Sequence, residues 1–254
     1  MIVEYHRPES LEEALKLLAR KEPYTVPLGG GTVLSAPNTE ERAVVDLQLL
    51  ELNHISQTTK TLKVGATATL QDLLQLDQVL PALAKTVELE ASRTLRQSAS
   101  VAGSLVAADG RSPFAIAALA TDAQLIVEPG GESIGYGGIL PLRAESLRGK
   151  LIREIEFPNN IALAYHYVSR SPADLPIVAI GLAAWPGGRT RLVVGGFGAM
   201  PTLAMDGREG SGLDEALANA LHGASDQWAS EEYRIEAAQA LLKRAVAALQ
   251  EAVH

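Results

Sequence analysis

The sequence contains no cysteine. The chain can therefore form no disulfide, present no thiolate nucleophile, and hold neither zinc nor an iron–sulfur cluster through sulfur ligands. Its five histidines include no pair at the i, i+4 spacing that would place two imidazoles on one helix face. We expect no metal site in this chain, so any such centre would lie on a partner.

Aromatic residues and basic charge are also scarce. Aromatic side chains make up 4% of the residues, too few to indicate a stacking platform for nucleic-acid bases. The 22 basic residues are outnumbered by 30 acidic ones, and the net charge of -8 argues against nucleic acid and anionic membrane surfaces as partners. No apolar run approaches a membrane-spanning length, and the first residues lack the features of a secretion signal. We expect a cytoplasmic protein without membrane insertion.

An apolar fraction of 47% over 254 residues is sufficient to bury cores in two or three compact lobes. Hydrophobic periodicity first predicts a small α/β unit, with a helix that begins after Ser10 and strands at 24–28 and 43–47. A second unit of strands and helices begins near Thr61. After residue 160, two helices follow three predicted strands, at about 162–169, 177–185 and 190–195.

The first strand of this pattern leads into three consecutive glycines, Gly29, Gly30 and Gly31, which are followed by Thr32. Backbone without side chains can approach a diphosphate closely and direct several N–H groups toward its oxygens. The motif is neither a Walker A loop nor the Gly-x-Gly-x-x-Gly fingerprint of a Rossmann unit. On its own, this glycine turn is more often a plain tight turn than a binding loop.

A second candidate is the 100–104 segment, in which Ser100 and Ser104 flank small residues. As a loop between two helices it would offer hydroxyl groups to phosphate or ribose oxygens, and the alternative of equal weight is a tight contact between the helices. Two such segments in one chain favour a shared ligand. Asp109 is a further candidate acceptor for a ribose or adenine donor, although a lone loop aspartate is usually a cap or turn residue.

No side chains have the spacing of a general acid and base, and the nucleophile motif Gly-x-Ser-x-Gly is absent. His166 stands out because it lies between Tyr165 and Tyr167 on a predicted strand. Its side chain would face opposite to both tyrosines, and a surface or hydrogen-bonded strand histidine is the simpler interpretation. We therefore assign no catalytic side chain.

Taken end to end, the chain resembles the FAD-binding subunits of the molybdenum hydroxylases, as in the medium subunit of carbon monoxide dehydrogenase and the flavin domain of xanthine dehydrogenase. The motifs that carry the resemblance include Gly30-Gly31-Thr32, Asp46-Leu47, residues 64–69, Leu95-Arg96, Ser169-Arg170 and Tyr233-Arg234. The resemblance implies an α+β fold, in which a two-lobed α/β FAD-binding domain of the PCMH type precedes a small C-terminal domain. That last domain would contain a three-stranded antiparallel sheet plus helices. The implied boundaries are 1–56, 57–160 and 161–254.

The resemblance also implies an activity and partners. An FAD-dependent oxidoreductase subunit of this family collects electrons from iron–sulfur clusters on a small subunit, which are fed by a molybdenum-cofactor centre on a large subunit. It passes them to an external acceptor such as NAD, oxygen or a quinone. The absence of cysteine fits this arrangement, because the clusters would lie on the partner.

The resemblance finally implies site residues. The family's two diphosphate loops fall on the glycine turn and the 100–104 segment, a hydrophobic residue near the flavin falls on Ile152, and a frequent lysine near the flavin ring is replaced by His166. The residues expected to contact FAD are Leu28, Gly29, Gly30, Gly31, Thr32, Val33, Ser100, Val101, Ala102, Gly103, Ser104, Asp109, Ile152 and His166.

Three further positions depart from the family pattern. Ala102 stands where the family has glycine, Ser104 where it has asparagine, and Pro113 where a second aspartate commonly holds the ribose. Ala102 adds a methyl group near the diphosphate, Ser104 has a shorter polar side chain, and Pro113 lacks the carboxylate. These changes motivate an alternative function. In that alternative, the protein is a scaffold or assembly subunit that keeps the fold and has lost FAD.

Overall fold

The computed structural model of the protein describes residues 1–36, 39–208, 210 and 212–252. The chain first forms β1 (Ile2–His6), α1 (Leu11–Leu18), β2 (Thr25–Leu28) and β3 (Arg42–Asp46). These strands make a parallel sheet in the order β1-β3-β2, and a 3₁₀ turn follows at Gln48–Leu50. We call this part the first lobe.

Helix α1 begins where the sequence predicts. The Ser10 hydroxyl accepts a hydrogen bond from the Glu13 N–H at 3.2 Å, which satisfies one of the free donors at the helix start. Ala14 and Leu18 of α1 are buried in a small core that also contains Leu151, a residue from the next sheet. This contact packs the first lobe against the second.

The second lobe is built on an antiparallel sheet of five strands. They are β4 (Ile55–Gln57), β5 (Thr61–Gly65), β6 (Gln124–Glu128), β7 (Glu132–Gly135) and β8 (Leu151–Pro158), in the order β4-β5-β8-β6-β7. Between β5 and β6 lie α2 (Leu70–Leu74), α3 (Pro81–Glu90), α4 (Arg93–Arg96), α5 (Val101–Ala107) and α6 (Pro113–Ala120). Between β7 and β8 lie α7 (Tyr136–Ile139), a 3₁₀ turn (Leu140–Leu142) and α8 (Arg143–Ser146).

The C-terminal domain contains a four-stranded antiparallel sheet. Its strands are β9 (Ala162–Val168), β10 (Val178–Ala184), β11 (Arg189–Gly195) and β12 (Thr202–Arg208), in the order β12-β11-β10-β9. The helices α9 (Leu213–Ala220) and α10 (Glu231–Ala252) follow. The expectation of three strands is wrong by one. The hydrophobic pattern of the sequence does not predict β12, because this edge strand is half-exposed and Thr202 is its only β-branched residue.

Helix α6 joins the second lobe to the C-terminal domain. All eight of its residues are buried. A Cβ atom on Gly181 of β10 would lie 3.0 Å from the Cβ of Ala120, and one on Gly195 of β11 would overlap the Ile116 side chain. The two strands therefore reach α6 closely because they carry glycine at the points of contact.

Arg234 fixes α10 to the rest of the C-terminal domain. Its side chain is fully buried. The guanidinium donates to the carbonyl of Ile177 at 3.1 Å, to that of Ala229 at 3.2 Å and to that of Ala224, and it bonds both carboxylate oxygens of Asp226 at 2.9 Å. A buried cation is tolerated when its donors are paired in this way.

The α+β fold class is confirmed, because two α/β lobes precede an antiparallel sheet with helices. The exact domain boundaries at residues 56 and 160 stay predictions. Among the described residues, no helix is both long and apolar enough to cross a bilayer.

Candidate functional site

The glycine turn packs directly against the backbone before α5. A Cβ atom on Gly30 would overlap the carbonyl group of Ser98, and one on Gly29 would lie 2.5 Å from the hydroxyl oxygen of Ser100. Gly31 has a φ of +70°, a conformation that side chains disfavour. The structure thus brings together the two segments that the sequence indicates separately. Close approach to the Ser98 backbone explains Gly30, close approach to the Ser100 side chain explains Gly29, and the positive φ explains Gly31.

The glycine turn also leaves hydrogen-bond donors unused. The carbonyl of Gly31 accepts a bond from the Ser35 N–H at 3.0 Å. Among the described residues, the backbone N–H groups of Gly30, Gly31 and Thr32 donate to no other backbone or side-chain group. Successive free N–H groups on a turn form a concave anion-binding surface. The turn therefore has the donors that a phosphate group requires.

The 100–104 segment differs from the loop that we expected, because it is the start of α5. Ser100 is the cap of this helix, and its hydroxyl oxygen accepts the Gly103 N–H at 3.2 Å. The N–H groups of Val101 and Ala102 donate to backbone carbonyls at 2.8 and 3.4 Å. These bonds anchor the segment in the second lobe. The hydroxyl groups of Ser100 and Ser104 can still bond to a ligand.

Both segments line one cavity of about 670 Å³, within the range of roughly 300–1,000 Å³ typical of ligand and cofactor sites. The cavity lies between the lobes and reaches Asp109 and Ile152. All the residues expected to contact FAD line it except Leu28, Val101 and His166. Leu28 lies beneath Gly31, and Val101 is buried in the core of the second lobe.

The expectation for His166 is corrected by the alternation of β9. Tyr165 and Tyr167 face the core of the second lobe, whereas Ala164 faces the core under α10. His166 shares the face of Ala164 and is half-buried there. Burial and the positive charge of Arg244 lower the pKa of the imidazole. The side chain is therefore directed away from the cavity, toward α10.

Glu90 is a cavity residue that the sequence analysis missed. It is half-buried at the end of α3, and its Oε2 accepts bonds from the Ser112 hydroxyl at 2.8 Å and from the Phe114 N–H at 3.0 Å. Burial raises the pKa of this carboxyl, and the Asp109 carboxylate acts in the same direction. A glutamate near the end of a regular helical pattern carries no sequence signal, so only the tertiary structure identifies it.

Three basic side chains on the cavity wall were also missed. Arg143, Arg148 and Lys150 contribute to the lining just before β8. Arg143 donates to the carbonyl of Ala108, and the guanidinium of Arg148 lies 5.7 Å from the ring centre of Tyr24. Their positive charge favours an anionic ligand in a protein that is acidic as a whole.

Residues 1–159 match the family described as the FAD binding domain in molybdopterin dehydrogenase. The uncharacterized protein YgfM of Escherichia coli K12 is 28% identical over 240 residues, which cover 92% of this chain and 91% of that protein.

Two solved structures share the fold along nearly the whole chain. The first is carbon monoxide dehydrogenase from Hydrogenophaga pseudoflava, in a form that lacks the Mo-pyranopterin moiety of the molybdenum cofactor. It matches with a TM-score of 0.77 and 21% identity, and the match covers 98% of this chain and 97% of that one. Quinoline 2-oxidoreductase from Pseudomonas putida 86 matches with a TM-score of 0.76 and 22% identity, covering 99% and 98%. The resemblance inferred from the sequence is confirmed.

Proposed function

From the premise that the chain belongs to the family of FAD-binding domains of molybdopterin dehydrogenases, we propose that it is the FAD-binding electron-transfer subunit of a multi-subunit molybdenum hydroxylase. FAD is the cofactor of this family. The observation that carries the proposal is the glycine turn, whose residues have unused N–H groups and line a cavity large enough for a cofactor. This turn would hold the diphosphate.

The residues present fit such a group. The contact between Gly30 and the Ser98 backbone holds the glycine turn beside the 100–104 segment, so that donors from both can converge on one diphosphate. Thr32 and Ser100 would add their hydroxyl groups. The methyl group of Ala102 is mostly buried, and its N–H is bonded within the second lobe, so it narrows the cavity without removing a donor from the glycine turn.

The protein's own contribution is to bind and orient the cofactor. When bound, FAD supplies the redox chemistry, and the chain supplies position and electrostatic environment. Ile152, which is nearly buried on β8, would present an apolar surface that excludes water. The basic side chains Arg143, Arg148 and Lys150 would balance the negative charge of the diphosphate.

The partners in this proposal are an iron–sulfur small subunit and a molybdenum-cofactor large subunit. The chain has no cysteine with which to hold a cluster, so the electrons would have to come from a cluster on another chain. In this role the chain would hold FAD between that cluster and an external electron acceptor. The substrate would then be selected by the molybdenum-containing chain.

An absorption spectrum of the purified protein, before and after addition of FAD and removal of the excess, tests the proposal. We expect flavin absorbance that stays with the protein and is reduced when the partner subunits and a substrate of the holoenzyme are supplied. A colourless protein that takes up no FAD would overturn the proposal. If such a protein still bound both partner subunits, the scaffold alternative would replace it.

A further inference from the structure

Glu90 lies in the cavity in a way that the diphosphate does not explain. It lines the wall together with Asp109 and Ser112, and its two hydrogen bonds reach Ser112 and Phe114, the residues on either side of Pro113. Pro113 itself has no hydrogen-bonding side chain. Glu90 therefore adds a carboxylate to the part of the wall that Asp109 and Ser112 form.

Only one of the two carboxylate oxygens is used within the protein. Both bonds end on Oε2, and Oε1 accepts no hydrogen bond from the described residues. Oε1 is not among the fully buried polar atoms that lack a partner in the described residues, so it stays accessible on a residue that lines the cavity. A ligand that brings a hydrogen-bond donor to Oε1 would therefore meet a free acceptor.

The chemistry of the two acids selects the kind of donor. Glu90 and Asp109 would repel the phosphates of a dinucleotide, so they cannot belong to the same subsite as the glycine turn. Two carboxylates on one wall match adjacent hydroxyl groups, because each hydroxyl can donate one hydrogen bond to one carboxylate. In FAD, such hydroxyls are found on the sugar parts on either side of the diphosphate.

We propose that Glu90 is a positioning residue that accepts a hydrogen bond from a sugar hydroxyl of the bound cofactor through Oε1, with Asp109 as its neighbour in the same subsite. This inference rests on the proposed function. It assigns the end of the cavity at the start of α6 to a sugar. The Ser112 hydroxyl and the Phe114 N–H hold the carboxylate in place for that contact.

The test measures FAD dissociation constants by fluorescence quenching for the wild type and for the E90L, E90Q and E88L variants. Glu88 is an exposed residue on the same helix, so E88L is a matched control. We expect E90L to bind FAD at least about tenfold more weakly, E90Q to bind with intermediate strength, and E88L to bind like the wild type. E90Q keeps an acceptor for Ser112 and Phe114, so it serves if E90L fails to fold.

Competition against bound FAD then identifies the contact. ADP carries the ribose, FMN carries the ribityl chain, and inosine diphosphate carries the ribose without the adenine amino group. A loss in E90L that is equal for ADP and inosine diphosphate supports a ribose contact, and a loss confined to FMN supports a ribityl contact. A loss for ADP that is absent for inosine diphosphate would assign the amino group and overturn the proposal.

Two further outcomes separate this inference from the function on which it rests. If the wild type binds FAD and folded E90L binds it within twofold of the wild type, the sugar contact is wrong and the FAD-binding function stands. If the wild type shows no quenching at all, both are wrong. A thermal melt of each protein without FAD identifies variants that are merely unfolded.

Discussion

Replacing Gly30 with alanine would push the glycine turn away from the segment that precedes α5. The new methyl group would overlap the Ser98 carbonyl and lie 3.3 Å from the Ala99 nitrogen. These are backbone atoms, which cannot rotate aside as a side chain can. Overpacking of this kind costs about 1–3 kcal/mol, and misplacing one N–H donor to the diphosphate costs about 1 kcal/mol more.

The free protein can relieve most of this strain, because the turn lies partly at the surface and can move outward. The FAD complex cannot, because the ligand requires both segments at once. We therefore expect the sum of about 2–4 kcal/mol to appear as roughly 30- to 1,000-fold weaker FAD binding, with only a modest fall in the melting temperature of the apoprotein. Fluorescence titration with FAD and thermal unfolding would measure the two effects.

Gly207 provides the matched control. A Cβ atom at this position on β12 would meet no atom within 4 Å, so G207A makes the same chemical change without a collision. We expect it to bind FAD like the wild type. Equal FAD affinities for G30A and G207A would refute the reasoning that close backbone contact between the two segments builds the site.

Three other substitutions probe separate parts of the molecule. R234L removes the donors to Asp226 and to several carbonyls, so urea denaturation should show a loss of at least about 3 kcal/mol, and a loss below 1 kcal/mol would contradict this. H166Q should leave the FAD affinity and flavin potential unchanged, because the imidazole faces α10; a shifted potential would return His166 to the site. Burial raises the pKa of Glu90, so the folded protein holds a proton on this carboxyl at pH values where the unfolded chain has lost it. The melting temperature of the wild type relative to E90Q should therefore rise as pH falls from 7.5 toward about 4.3. A difference that does not change with pH would show that Glu90 keeps an ordinary pKa in the fold.

The sequence predicts the features whose cause is local. The helix at Ser10 and the glycine turn follow from capping and from backbone freedom, which neighbouring residues along the chain determine. As a motif alone, three consecutive glycines more often form a plain tight turn than a binding loop. The contact between Gly30 and Ser98 marks this turn as more than a plain one, and Ser98 is distant from Gly30 in the sequence. Its significance could therefore be recovered from the family resemblance or the structure, but not from the motif.

The residues that sequence reasoning missed or misplaced depend on tertiary packing. The sequence shows the alternation around His166, but which face of β9 meets α10 depends on how the C-terminal sheet packs on α6. In the sequence, Glu90 is an ordinary helix residue. Its place in the site depends on the hydrogen bonds from Ser112 and Phe114 at the start of α6. Strand β12 forms because it pairs with β11, and its own residues carry little β-preference.

Helix α6 has a consequence for how the molecule can be divided. The family match ends at residue 159, yet α6 lies before that point and is covered by β10 and β11, which come after it. A fragment that ends there would expose one side of an entirely apolar helix to water, and exposed apolar surface of this kind promotes aggregation. The two lobes and the C-terminal domain should consequently unfold in a single cooperative transition.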